Sequence, residues 1–191
     1  MRPSALLLAG LALALAGPPA SAASLALSER ERQEAVLVGQ RSVTQEAFGG
    51  EWRVVQGSGE SVEVITPFHR IALAARHAAF KNEPLKDADQ ARMLEDLKDR
   101  VMFWVQLVGP RPDFARYYKP RLLVPNGQEI EPAVAQNERT AIRQEDGRYL
   151  ARCMYWFPTK DVTGTSRVTL VIRDSESQPV SRFVIDLTRM R

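Results

Sequence analysis

VMFWVQLV, residues 101–108, is apolar at every position except Gln106. A strand with one face in solvent alternates apolar and polar residues, whereas a strand covered on both faces is apolar almost throughout. The pattern therefore predicts an internal strand, with the core of a sheet on one face and helices on the other.

Short strand patterns surround this stretch on both sides. Residues 52–56 and 61–65 flank Gly57-Ser58-Gly59 and predict a β-hairpin. The remaining strand patterns are 121–124, 128–134, 140–144, 148–157, 168–174 and 181–187. Many short strands separated by turns are typical of a β-sandwich, so we expect an α+β protein built on an antiparallel β-sandwich.

The segment EDGRYLARC resembles the Asp-x-Gly-x-Tyr corner that precedes a late strand in immunoglobulin-like domains. Asp146, Gly147 and Tyr149 carry the resemblance. Trp104 would then correspond to the buried core tryptophan of such a domain. The resemblance implies an immunoglobulin-like sandwich, and architecture alone implies no activity.

Capping residues mark where two helices begin. Ser28 followed by Glu31 is a capping-box pattern at the start of the first helix. Thr66 and Pro67 begin a second, alanine-rich helix that should extend to about Lys81. One side of the second helix gathers small and apolar residues suited to close packing: Phe68, Ile71, Ala72, Ala75, Ala78 and Ala79.

A third helix is predicted over residues 85–100, and with the second helix it would form an inserted α-helical hairpin at 66–100. Its predicted buried side consists of Leu85, Ala88, Ala91, Leu94 and Leu97. We thus expect an N-terminal helical segment at 23–50, followed by a single β-sandwich domain at 51–191 that contains the hairpin.

The first 22 residues have the pattern of a secretory signal peptide. Arg2 supplies the positive charge, an apolar run follows, and Ala20-Ser21-Ala22 matches the small-x-small rule for cleavage. The run is shorter than the about 20 residues that a membrane span needs. We therefore expect cleavage near Ala22 and export to the periplasm or the extracellular space, with no transmembrane segment in the mature chain.

His69 and His77 are the only two histidines, and both lie in the second helix. They are two turns apart, which is about 12 Å along the axis. Two helical histidines that bind one metal ion stand four residues apart, so a shared metal site on this helix is excluded. Either one histidine acts in catalysis with an acid supplied by the fold, or both are partly exposed structural residues.

The loop PRPDFARYYKP, residues 110–120, combines aromatic and charged side chains, a composition favoured at protein interfaces. Its candidate binding residues are Arg111, Asp113, Phe114, Arg116, Tyr117, Tyr118 and Lys119. In the alternative hypothesis, Phe114 and one tyrosine pack against the open end of the sandwich, as aromatic residues of long ordered loops often do.

Composition limits the remaining chemistry. The chain has 26 basic and 23 acidic residues, and loss of Arg2 with the signal peptide would leave 25 basic residues. The charges are interspersed, so the sequence has no basic face for nucleic acid. Cys153 is the only cysteine, and its apolar surroundings predict a buried, unpaired thiol. No motif implies a metal or another cofactor.

We expect a non-catalytic interaction or accessory module of the bacterial cell envelope. Its protein partner would bind an exposed strand edge or the loop residues 114–119. One alternative is a hydrolase that uses His69 or His77, which requires an imidazole in contact with both a carboxylate and a nucleophile. Another alternative is a carrier of a small apolar ligand between hairpin and sheet, which requires a cavity of about 300 Å³ or more.

Overall fold

The computed structural model describes residues 22–191, so the predicted signal peptide, apart from Ala22, lies outside the described residues. Within this range the chain is a mixed α+β protein with antiparallel sheets and three α-helices. The helices are α1 (Glu29–Arg41), α2 (Pro67–Phe80) and α3 (Asp87–Asp96), and short 3-10 helices cover Gly50–Trp52 and Leu187–Arg189. No helix in residues 22–191 is long and apolar enough to cross a membrane.

The strands are arranged in two sheets and outnumber the helices. The strands are β1 (Arg53–Val55), β2 (Ser61–Ile65), β3 (Arg100–Gly109), β4 (Lys119–Leu123), β5 (Glu129–Ile130), β6 (Val134–Gln136), β7 (Ile142–Arg143), β8 (Tyr149–Pro158), β9 (Arg167–Arg173) and β10 (Pro179–Asp186). The first sheet has the order β1-β2-β3-β8-β6, with β7 also paired to β8, and the second has the order β10-β9-β4-β5. Strand β3, which contains residues 101–108, is internal, as predicted.

The side chains of β3 point alternately into two apolar environments. Those facing the main core are Val101, Phe103, Val105 and Leu107. The same core takes side chains from the second sheet: Leu122, Leu170, Ile172, Phe183 and Ile185. Met102 faces the other way and clusters with Ile65 and with Leu97, which follows α3. Apolar contacts on both faces explain why the strand shows no polar alternation.

The alanine-rich face of α2 packs against α1, as its small side chains predict. Ala72 and Ala75 are buried in this contact. A Cβ atom at Gly39 of α1 would lie 2.1 Å from the carbonyl oxygen of Ala72, so only a glycine permits this approach. The contact explains why the closest helix pair is α1 with α2, although α2 and α3 are the two helices between β2 and β3.

Both predicted capping signals are confirmed. Ser28 and Glu31 form a reciprocal capping box at the start of α1. Thr66 is the N-cap of α2, and its Oγ1 accepts a hydrogen bond from the backbone N–H of His69 at 3.1 Å. Helix α2 then ends at Phe80, one residue before the predicted end.

The predicted buried side of α3 is wrong. Ala88 and Ala91 are exposed, whereas Gln90 is buried and donates to the carbonyl of Leu85 at 3.3 Å. The reason is geometric: three-residue steps turn about 300° on an α-helix, so such a row of residues moves around the helix. Only its last member, Leu97, is fully buried.

The fully buried tryptophan is Trp52, rather than Trp104. Trp104 alternates with the core residues of β3 and is therefore partly buried on the opposite face of the sheet. Asp146 and Gly147 form the exposed turn before β8, where Gly147 has a φ of 82°. Tyr149 begins β8 and is half-buried.

Candidate functional site

His69 is enclosed at the start of α2. Its side chain is 1% exposed, and its ring stacks on Trp52 with centroids 4.2 Å apart. Nδ1 lies 3.0 Å from the carbonyl oxygen of Val64, and Nε2 lies 3.3 Å from Oε1 of Glu63. The prediction of partial exposure is wrong for His69, because Trp52 covers this side of the helix. His77 is exposed, as predicted.

The contact with Val64 places the hydrogen of the neutral His69 ring. The carbonyl of Val64 can only accept, so Nδ1 carries the hydrogen and Nε2 of the neutral ring is an acceptor. Burial lowers the pKa of His69 to about 4 and raises the pKa of Glu63. Both shifts favour the uncharged forms of the two side chains, and only the protonated form of Glu63 can donate to Nε2.

This pair lacks the geometry of a hydrolytic centre. A general base needs a free nitrogen that reaches a nucleophile in an accessible cleft. Here Nδ1 is bonded to the main chain and Nε2 faces a carboxyl group. Within residues 22–191, neither ring nitrogen of His69 is hydrogen-bonded to a hydroxyl or a thiol. The arrangement is that of a polar group satisfied in the core.

The candidate residues of the 110–120 loop separate into two groups. Phe114 and Tyr118 pack against each other at a centroid distance of 5.8 Å. Phe114 is also pressed against Gly109, where a Cβ atom would lie 2.3 Å from the ring. These contacts agree with the packing hypothesis for two aromatic residues. The exposed candidate residues of the loop are Arg111, Asp113, Arg116, Tyr117 and Lys119.

Arg116 and Tyr117 line an open depression of about 700 Å³, which we call the Tyr117 surface. Its other wall consists of residues from β6 and the segment after it: Ala135, Gln136, Asn137, Glu138 and Arg139. Asn137 ties this wall to the loop, because its Nδ2 donates to the carbonyl of Tyr118 at 2.7 Å. Its Oδ1 accepts a hydrogen bond from the hydroxyl of Tyr155 at 2.8 Å. This second bond fixes the wall and the loop to the core. Arg111, Asp113 and Lys119 do not line the depression.

The Tyr117 surface offers three kinds of contact. Tyr117 is 65% exposed, and the Arg116 guanidinium lies 5.4 Å from its ring centre. Arg139 adds a second positive charge, whereas Glu138 accepts a bond from the backbone N–H of Arg152 at 2.6 Å. Strand β6 pairs with β8 on one side only among the described strands, and all its residues are exposed. The surface thus combines an open strand edge, an exposed aromatic ring and two arginines.

A second concave region, the sheet groove, lies on the face of the first sheet that points away from the main core. It has a volume of about 320 Å³ and is lined by Arg53, Ser61, Glu63, Trp104, Val105, Gln106, Gln136, Arg152, Cys153 and Met154. A hollow of about 190 Å³ between this face and helices α2 and α3 shares Trp104 and Met154 with it. Ligand pockets usually have at least about 300 Å³, so the helices alone do not enclose a carrier cavity.

Sequence reasoning missed the sheet groove and the contribution of residues 135–139. No motif marks either one, because strand pairing brings together residues that are far apart in the chain. One signal was available for the groove. Positions that alternate with core residues on β3 and β8 are large and apolar instead of polar: Trp104, Met154 and Trp156.

The remaining chemistry of the described residues is sparse. Cys153 is buried, as predicted, and burial raises the pKa of its thiol. Such a thiol is a poor nucleophile, since the thiolate is the reactive form. Among residues 22–191, no group of three or more His, Cys, Asp or Glu side chains is arranged to hold a metal ion.

Comparison with known proteins gives little functional information. No protein-family model and no curated protein matches the chain. A protein of unknown function from Burkholderia pseudomallei, known from its crystal structure, aligns with 86% of this chain and 92% of its own length. The two sequences are 11% identical, and the TM-score is 0.44.

Proposed function

We propose that the chain is a non-catalytic interaction module of the bacterial cell envelope, which binds a protein partner at the Tyr117 surface. The observation that carries this proposal is the proximity of Tyr117 to the open edge of β6. An exposed loop aromatic and a strand edge are each a known mode of protein recognition. Here they form two walls of one depression.

The partner would add an extended segment to β6. An edge of three residues supplies few main-chain hydrogen bonds, so side chains must contribute much of the affinity. Tyrosine and arginine are the residue types that most often dominate binding energy at interfaces. Because Arg116 and Arg139 flank the depression, we expect acidic residues in the bound segment.

Export and architecture are further parts of the proposal. A signal peptide at 1–22 would deliver the mature chain to the periplasm or the extracellular space. Ala23, the first residue after the proposed cleavage site, is buried, and its backbone nitrogen donates to Leu187 at 3.1 Å. Cleavage before Ala23 would preserve this bond. The common core of the two sheets supports an immunoglobulin-like sandwich, with the α2–α3 hairpin inserted between β2 and β3.

Capture of partners from envelope extracts of the source organism tests the site. Tyr117→Ala should weaken capture of a stoichiometric partner by at least about thirtyfold, which corresponds to the loss of about 2 kcal/mol at a central aromatic residue. Phe80→Ala is the matched control, because Phe80 is 75% exposed at the end of α2 and does not line the Tyr117 surface. Equal capture by both variants would refute the site. Tyr118 is left unchanged, since its ring packs on Phe114.

A further inference from the structure

The floor of the sheet groove is a row of side chains that crosses the whole first sheet. The register places Arg53 opposite Glu63 and Glu63 opposite Trp104. Trp104 stands opposite Met154, which in turn stands opposite Gln136. These five residues come from five different strands, and all of them line the groove. The groove therefore has a floor fixed by strand pairing.

The two ends of the groove differ in chemistry. One neighbouring row is polar and consists of Ser61, Gln106 and Arg152. The row on the other side is apolar and consists of Ile65, Met102 and Trp156. This apolar row leads to the hollow of about 190 Å³ beneath α2 and α3. Along β8, the polar and apolar rows are four residues apart, or about 13 Å.

The polar end is positively charged. Arg53 donates to Oγ of Ser61 at 3.0 Å and approaches Oε1 of Gln106 at 3.4 Å, both uncharged partners. Within residues 22–191, neither Arg53 nor Arg152 forms an ion pair. Among the described residues, Glu63 is the only acid that lines the groove, and its Oε1 lies 3.3 Å from Nε2 of His69. Two guanidinium groups that form no ion pair thus stand at one end of a groove with Trp104 and Met154 at its centre.

We propose that the sheet groove binds a small amphipathic carboxylate, with its apolar chain on Trp104 and Met154 and its carboxylate between Arg53 and Arg152. Charge complementarity favours an anion, because guanidinium groups match carboxylates in geometry and charge. The size of the groove and the adjoining hollow suits a single medium-length chain or a small ring. This site is separate from partner binding at the Tyr117 surface, apart from Gln136, which lines both.

Decanoate is a suitable probe, and its binding can be followed by the fluorescence of Trp104 and Trp156. We expect saturable binding below the concentration at which decanoate aggregates, and much weaker binding of both acetate and decanol. Arg53→Gln and Arg152→Gln should each weaken decanoate binding by about tenfold, as expected for the loss of a hydrogen bond to a charged group. Neither change should affect decanol.

Three further variants locate the ligand. Arg167→Gln removes an exposed arginine of the second sheet and is the matched control, so it should bind decanoate like the wild type. Glu63→Gln should bind decanoate at least as tightly, because it removes the only acid from the groove. Tyr117→Ala should leave decanoate binding unchanged, so failure of this inference is distinguishable from failure of the proposed function.

Several results would overturn the inference. One is equal affinity for decanoate in the wild type and in both groove arginine variants. Weaker binding by Glu63→Gln would also contradict the placement of the carboxylate. If decanoate does not bind, and Trp104→Ala abolishes capture of the protein partner, the groove accepts a partner side chain and the small-molecule site is refuted.

Discussion

Replacement of Glu63 by glutamine should make protein stability depend on the protonation of His69. The ring is 1% exposed, and burial lowers the pKa of His69 from its ordinary value of 6.5 to about 4. The stabilisation from a neutral buried histidine is complete above pH 6.5 and is lost as the pH falls towards 4, because only the unfolded chain takes up the proton. Each pKa unit between the folded and the unfolded state corresponds to about 1.4 kcal/mol, so the lowered pKa of His69 corresponds to about 3 kcal/mol of stability that is lost by pH 4.

In the wild type, Glu63 opposes this loss. Burial raises the pKa of Glu63 above 4.5, so the native state keeps a proton that the unfolded chain has released. This contribution has the opposite sign: it is present at low pH and is lost as the pH rises through the folded pKa of Glu63. Glutamine removes the titration but keeps an N–H donor for Nε2 of His69. The other charges that act on the ring, Glu51 and Arg70, have opposite effects and are unchanged.

Urea denaturation between pH 7 and pH 4 measures the effect. The free energy of unfolding of Glu63→Gln should fall by up to about 3 kcal/mol over this range, and that of the wild type by less. His77→Gln is the matched control and should follow the wild type, because His77 is exposed. Parallel curves for Glu63→Gln and the wild type would refute the opposing contribution of Glu63.

Two other predictions concern packing. Gly39→Ala should lower the free energy of unfolding by about 2 kcal/mol, since overpacking against the backbone oxygen of Ala72 outweighs the gain of about 1 kcal/mol in helix propensity. Gly50→Ala is the control, because a Cβ atom there meets nothing within 4 Å, and it should change the free energy of unfolding by less than about 0.5 kcal/mol. Thermal denaturation measures both variants, and a larger loss of stability in Gly50→Ala than in Gly39→Ala would refute the packing argument. Cys153 should react with iodoacetamide only after denaturation, because its thiol is buried and the pKa of the thiol is raised. Fast labelling of the native protein would show that the thiol is accessible to solvent and would contradict this prediction.

Local signals in the sequence predicted local structure well. The capping residues Ser28 and Thr66 begin helices where expected, since the hydrogen bonds involved span only three residues. The apolar stretch 101–108 correctly indicated an internal strand, because a strand that is buried on both faces has apolar residues at nearly every position. The alanine face of α2 correctly indicated a close contact with another element, because small side chains allow close packing.

Features that depend on distant pairing were not predictable in this way. A helical pattern shows that His69 lies off the alanine face, but it cannot show that Trp52 stacks on that side. The loop sequence makes Phe114 and Tyr117 equal candidates for binding. Only the structure shows that the Phe114 ring packs against Gly109, whereas the Tyr117 ring is exposed. The sheet groove depends on the register of five strands, which no local pattern specifies.

Cross-linking tests the proposed binding of a protein partner along the open edge of β6, beside Tyr117. The most direct measurement places a photoreactive amino acid at Ala135 in that edge and, for comparison, at Val55 in β1, the edge strand on the opposite side of the same sheet. Both positions are exposed. After irradiation in living cells, position 135 should give one defined adduct that disappears when Tyr117→Ala is added, and position 55 should give none. No adduct at position 135, or the same adduct from both positions, would refute binding at the β6 edge.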